Sequence, residues 1–181
     1  KGSLAALADH LTIRDDEILV LLDLDDWFFR TDTLALLNEV YSNPSVWVTY
    51  GNYICSTGEP GHCAPWAENR SPRTSPWIFS HLKTMRGFVW NRINKDDFRG
   101  PDGEYARACA DRAIMYPALE MAGPEHTFFI DTPLVVYNRH VTNNVDKVNS
   151  VYAQKIQAWF GSRPSYPRLI MTEKVLELNE T

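Results

Sequence analysis

Three carboxylates, Asp23, Asp25 and Asp26, stand directly after the apolar run Ile18 to Leu22. The run is too short for most helices and reads as a buried strand that delivers all three acids to one point. Unpaired carboxylates are costly to bury, and repulsion between like charges adds to the cost. A divalent cation relieves both, and hard oxygen ligands suit Mg²⁺ or Mn²⁺. Side chains alternate along an extended segment, so Asp23 and Asp25 are expected to share a side, with Asp26 diverging or capping the next segment. The competing reading is a solvated acidic turn at the end of an apolar strand. A second acid, Asp111, lies among Ala108, Ala110, Ala113, Ile114 and Met115. Desolvation there would raise its pKa, unless it pairs with Arg107 or Arg112.

Other candidates carry less specific signals. On a helix, His81, Lys83 and Arg86 would touch phosphate or acceptor, or simply form a solvated face. His140, just after the last apolar strand, reads as a metal or phosphate ligand or as an ordinary loop histidine. Trp66 and Trp77 offer faces for stacking on a sugar, or packing beneath a long loop.

The 181-residue chain is long enough for one domain with a sizeable core, and 44% hydrophobic with 23% charged residues is an ordinary globular balance. A formal net charge of −5 argues against a nucleic-acid binder, which would show a basic balance or stripe. The three cysteines, Cys55, Cys63 and Cys109, cannot all pair with one another and have no zinc spacing. Incidental thiols in a reduced compartment account for them, which leans toward the cytoplasm. No apolar run has the length of a membrane span, and no signal peptide is visible. Lys1-Gly2-Ser3 opens without Met and leads straight into a helical pattern, as an expression scar or a truncated domain would.

Periodicity and chain breakers give the framework around these residues. A helix is expected over 3–12, a strand over 17–23, a helix from Thr31 to Ser42 stopped by Asn43-Pro44, and a strand from Val46 to Tyr50. This unit has the size of a βαβ crossover, which favours a parallel sheet. Residues 56–77 form a long Gly-, Pro- and Ser-rich break, and loops of that length are usually functional or mobile. A helix is expected through His81, Met85, Val89 and Arg92. Another spans about Glu104 to Met121 with Pro117 inside it and Gly123-Pro124 after it. Strands over 126–130 and 133–137 and a last helix over about 146–160 complete one α/β domain.

In order along about 150 residues, the chain resembles the inverting nucleotide-sugar glycosyltransferases of family 2. Lys1-Gly-Ser-Leu-Ala-Ala-Leu7 looks like the helix after the family's Gly-containing donor loop. Asp23-Leu-Asp25-Asp26-Trp27 resembles its D-x-D-D metal motif, and Val46 to Gly51 the next strand. Ser80-His-Leu-Lys-Thr-Met-Arg86 resembles a segment found in a subset of the family. Asp111 to Gly123 is similar to the acceptor-side segment that holds the catalytic base, and residues 133–140 to the strand and loop that close the site. Val141-Thr-Asn-Asn144 departs from the Asn-Pro pair that the subset tends to carry.

The resemblance implies a GT-A-like, Rossmann-type mixed sheet flanked by helices, with the first, nucleotide-reading strands missing from 1–181. It implies a metal-assisted transfer of a sugar from a nucleoside-diphosphate sugar, such as a UDP-sugar, to a glycan or other hydroxyl acceptor. Asp25 chiefly, with Asp23 and His140, would hold Mn²⁺ or Mg²⁺ against the diphosphate. Lys1, Gly2, Asp23, Asp25 and Arg86 would contact the donor, and Asp111 would be the general base. Two alternatives stand beside it. One is a haloacid-dehalogenase-like phosphatase, whose first motif "DLDDWFFRTDT" resembles superficially, although Trp27 stands where Thr or Val is usual. The other is a non-catalytic carbohydrate-binding remnant.

Overall fold

The apolar run ahead of the carboxylates forms β1 (Ile18–Leu21), one of the two edge strands of a five-stranded mixed sheet. The computed structural model describes residues 3–67, 70–139 and 150–170. In chain order the other strands are β2 (Trp27–Phe28), β3 (Val48–Cys55), β4 (Lys83–Arg86) and β5 (Thr127–Tyr137), and the sheet order is β1-β4-β3-β5-β2. The helices are α1 (Ser3–His10), α2 (Thr33–Tyr41), α3 (Gly87–Asn91), α4 (Ala110–Ala122) and α5 (Ser150–Ser162). The protein is a mixed α/β fold, as the alternation of elements leads one to expect.

The parallel sheet that the β1–α2–β3 unit favours is corrected to a mixed one, in which, among the described residues, only β3 and β5 pair in parallel. β4 is inserted between β1 and β3 and pairs antiparallel with both, so β1 and β3 run the same way without touching. The helix expected through His81 and Arg86 is therefore corrected to a strand followed by the short α3. The reason lies in burial: Lys83, Thr84, Met85 and Arg86 are all enclosed. A central strand covered on both faces shows no alternation of the kind that betrays an edge strand. Thr84 Oγ1 meets Tyr41 Oη at 2.8 Å and Thr49 Oγ1 at 2.6 Å, which fills the polar needs of the strand's centre. At the β4–α3 junction a Cβ on Gly87 would lie 1.8 Å from the Arg14 carbonyl oxygen, so the close chain approach requires glycine.

The two strands read over 126–130 and 133–137 are one interrupted strand. Thr127 to Ile130 pair in parallel with Val48 to Gly51, and Val135 to Tyr137 with Tyr53 to Cys55. Asp131 to Leu134 bulge out opposite Asn52, whose amide donates to Asp131 Oδ1 at 2.9 Å. Pro133, which has no N–H for a ladder, sits in that bulge.

Helices cover both faces. Leu4, Phe88, Val89, Trp90, Met115, Leu119, Ile156 and Phe160 build the larger apolar cluster against Val48, Tyr50 and Met85. Leu37 of α2 joins Tyr53, Leu82, Ile130, Leu134 and Val135 in a smaller one. The α4 helix starts later than the sequence suggests. Cys109, with φ 56° and ψ 35°, occupies the left-handed region just ahead of it and breaks the run from Glu104. Among the described residues no helix is long and apolar enough to cross a membrane.

Candidate metal centre

After β1 the chain does not stay extended. Asp26 N donates to the Asp23 carbonyl at 3.1 Å, closing a turn with Leu24 and Asp25 at its centre. The central residues of such a turn point outward and its ends converge. Leu24 and Asp25 are accordingly exposed, while Asp26 is drawn in by the return of β2, which pairs with β5 at Trp27 and Val136. The expected Asp23/Asp25 pair is thus corrected to Asp23/Asp26, a spacing of three instead of two. Asp is favoured at the first position of such turns, and that signal is present in Asp-Leu-Asp-Asp.

The third member is His81, carried to the same end of the sheet by the segment that enters β4. Ligand atoms of Asp23, Asp26 and His81 lie within 4.8 Å of one another, the one such convergence among the described residues that involves at least three metal-ligating side chains. The Asp26 side chain is fully buried and that of His81 is 9% exposed. Asp26 Oδ1 accepts from Asn138 N at 2.9 Å. Its other oxygen, Oδ2, has no hydrogen-bond partner among the described residues, and neither has His81 Nδ1. The two atoms face each other at 3.6 Å, too far for a hydrogen bond. His81 cannot easily turn aside, because Tyr137 stacks on its ring at 5.2 Å and Tyr53 meets it edge-on at 5.3 Å. Tyr53 is held in turn: His62 Nε2–H donates to the Trp77 carbonyl at 3.1 Å, leaving His62 Nδ1 to accept from the Tyr53 hydroxyl at 2.8 Å.

Burial pushes the Asp26 carboxyl up to about 6; the Asn138 N–H opposes this, Asp23 and Asp25 add to it by repulsion, and Lys83 opposes it. Burial, with the charge of Lys83 and the neighbouring His62, holds His81 far below the ordinary imidazole range, so its ring is neutral. A neutral imidazole nitrogen and a carboxylate oxygen, both unpartnered and facing each other, are suited to a shared cation. Their separation lies within the span that two ligands of one ion bridge with bonds of about 2.0–2.2 Å. Asp23, which is exposed, and the buried Asp26 and His81 together form a group that could hold a metal ion.

The remaining expected site residues lie elsewhere. Asp111 sits half-buried in the first turn of α4 and contributes nothing to the Asp23/Asp26/His81 group. Its neighbour Arg112 lies 4.5 Å over the Trp77 ring and donates to the Tyr116 hydroxyl at 2.5 Å. A run of contacts, Tyr116 to Trp77 to His62 to Tyr53 to His81, links the middle of α4 to His81. Arg86 is corrected from donor contact to structural strut. It is buried, and its guanidinium donates to the carbonyls of Val46 at 2.8 Å, Tyr41 at 2.8 Å and Asn43 at 3.2 Å. It also pairs with Ile18, at the start of β1, whereas the carboxylates come after its end. Trp66 and Trp77 pack edge-on against Phe79, the ordinary outcome for loop tryptophans. Lys1, Gly2 and His140 lie outside the described residues, as does Val141-Thr-Asn-Asn144. Comparison with protein-family models finds no match to this chain, and comparison with curated protein sequences finds none either.

Proposed function

We propose that the chain is a metal-assisted, inverting glycosyltransferase domain of GT-A type that moves a sugar from a nucleoside-diphosphate sugar to an acceptor hydroxyl. The observation that carries the reading is the orphaned Asp26 Oδ2 and His81 Nδ1 pair beside Asp23 at the carboxyl end of a strand. Open α/β sheets bind ligands beyond the carboxyl ends of their strands. The ordered resemblance to family 2 supplies the reaction class.

Asp23 and Asp26 would hold Mn²⁺ or Mg²⁺. When bound, the ion supplies positive charge against the leaving diphosphate. Asp25, exposed at the crest of the turn, is free to reach polar groups of the donor outside the buried pair. Trp27 and Phe29, each about half exposed (47% and 48%), offer apolar faces to a sugar ring next to the acids. Asp111 takes the proton from the acceptor hydroxyl, and attack from the face opposite the leaving group inverts the anomeric centre. Binding both substrates in that geometry supplies the orientation on which a single displacement depends.

The test is to incubate the protein with Mn²⁺ and a panel of nucleotide sugars and to measure nucleoside diphosphate release. Release that needs the metal, disappears in Asp23→Ala, and loses turnover but not donor binding in Asp111→Asn supports the reading. Absence of metal-dependent nucleotide-sugar binding across the panel overturns it. Hydrolysis of an aryl phosphate that is lost in Asp23→Asn replaces it with the phosphatase reading.

A further inference from the structure

We infer that His81 Nδ1 is itself a metal ligand, so that the centre takes a transition-type divalent ion, Mn²⁺ or Zn²⁺, and discriminates against Mg²⁺ and Ca²⁺. The inference rests on the cation site of the proposed transferase and deepens it by naming the donor set. Hard oxygen ligands alone would leave Mg²⁺ and Mn²⁺ nearly equivalent. An imidazole nitrogen does not: it suits Zn²⁺ best, and Mn²⁺, although it also takes oxygen ligands, belongs to the transition series and accepts nitrogen more readily than Mg²⁺ or Ca²⁺, which release water for it reluctantly.

The geometry singles out this ring. Its side chain is 9% exposed, its Nδ1 has no partner among the described residues, and it faces the equally unpartnered Asp26 Oδ2 at 3.6 Å. A buried polar atom left unsatisfied forfeits its hydration with no return, and native structures rarely leave two together without a ligand or catalytic role. Two other described histidines lack this freedom. Both ring nitrogens of His62 are bonded, and His126 bonds the Ser45 carbonyl through Nδ1 at 2.8 Å while stacking on Trp47. The aromatic clamp of Tyr53 and Tyr137 on His81 is what a positioned ligand needs, since it fixes the direction of the nitrogen lone pair before any ion arrives.

The experiment uses the full chain and the metals alone. Calorimetric titration with Mn²⁺, Zn²⁺, Mg²⁺ and Ca²⁺ is combined with electron spin-echo spectroscopy of bound Mn²⁺, which detects directly coordinated nitrogen. The expected result is nitrogen coupling to Mn²⁺, altered on isotope labelling of histidine, with Mg²⁺ and Ca²⁺ bound at least about tenfold more weakly. His81→Gln removes the coupling and most of the discrimination, while His126→Gln, at a ring bonded to the Ser45 carbonyl and stacked on Trp47, keeps both. Mn²⁺ bound without nitrogen coupling overturns the inference, as does coupling that survives His81→Gln, or Mg²⁺ bound as tightly as Mn²⁺. Absence of binding by any of the four ions overturns it too. If His81→Gln fails to fold, the labelled wild-type protein still decides the matter. The two readings fail separately: nitrogen-ligated Mn²⁺ without nucleotide-sugar use removes the glycosyl-transfer reading, and Mn²⁺-dependent transfer with oxygen-only ligation removes this one.

Discussion

Two buried polar pairs in this molecule are built to opposite specifications. Arg73 and Glu120, with side chains 7% and 6% exposed, satisfy each other completely. Arg73 Nε and Nη2 donate to the two Glu120 oxygens at 2.5 and 2.8 Å, Arg73 Nη1 donates to the Phe160 carbonyl, and Tyr166 N donates to Glu120 Oε2 at 3.0 Å. That knot joins the long segment after β3, α4 and the end of the described chain. Asp26 and His81 are equally enclosed, yet their facing atoms stop 3.6 Å apart with no partner among the described residues. Low dielectric makes a finished network rigid and an unfinished one expensive. The fold completes the first pair and leaves the second open, which is the contrast that the proposed metal site rests on.

The most severe test of this contrast opens the finished pair. Glu120→Ala leaves a buried guanidinium without its counter-charge and is expected to cost about 3–5 kcal/mol in urea denaturation. A cost below about 1 kcal/mol, the range of an exposed pair, would mean that the knot is not structural. Next, Mn²⁺ at about 100 times its dissociation constant should stabilise the wild type by about 2.7 kcal/mol, seen as a rise in melting temperature. Asp26→Asn should lose that rise and Glu120→Gln should keep it. Without metal, Asp26→Asn is expected to stabilise the protein by about 1 kcal/mol. Its amide can still accept from Asn138 N and can donate to His81 Nδ1, removing two orphaned atoms and a buried charge. Marked destabilisation in the same melt would show that the pair is already satisfied.

A half-buried charge, Lys95, gives the smallest effect and calibrates the two pairs. Lys95 Nζ donates to the Trp90 and Ile93 carbonyls at 2.6 and 3.0 Å and lies 3.9 Å from the Trp90 ring centre. Burial nevertheless pushes its ammonium down to about 8 from the ordinary 10.5. Between those values the unfolded chain holds a proton that the folded chain has released, so stability from this group rises with pH through that window. With solvent screening discounted, the gain is about 1 kcal/mol, and Lys95→Met should flatten it in pH-dependent melts.

Much of the local framework is legible in the chain. The acids at the end of an apolar run, the β1–α2–β3 unit, the later helices and the break at Asp131 all arise from patterns a few residues long. The features that local pattern hides share a cause. An extended segment would turn Asp25 inward, and one turn hydrogen bond, Asp26 N to Asp23 O, reverses that. A strand buried on both faces has no alternation to read, so the segment through His81 and Arg86 looks helical until its neighbours in the sheet are known. Asp111 stands in the helix that its neighbours predict, in the first turn of α4.

Residue type and local spacing are enough to set the carboxylate cluster, the mixed α/β composition of the fold and the class of chemistry worth testing. Which two acids converge, that a histidine from a distant segment joins them, and that Arg86 braces backbone carbonyls are outcomes of tertiary packing. They depend on strand insertion and burial, and both are set by contacts between segments far apart in the chain.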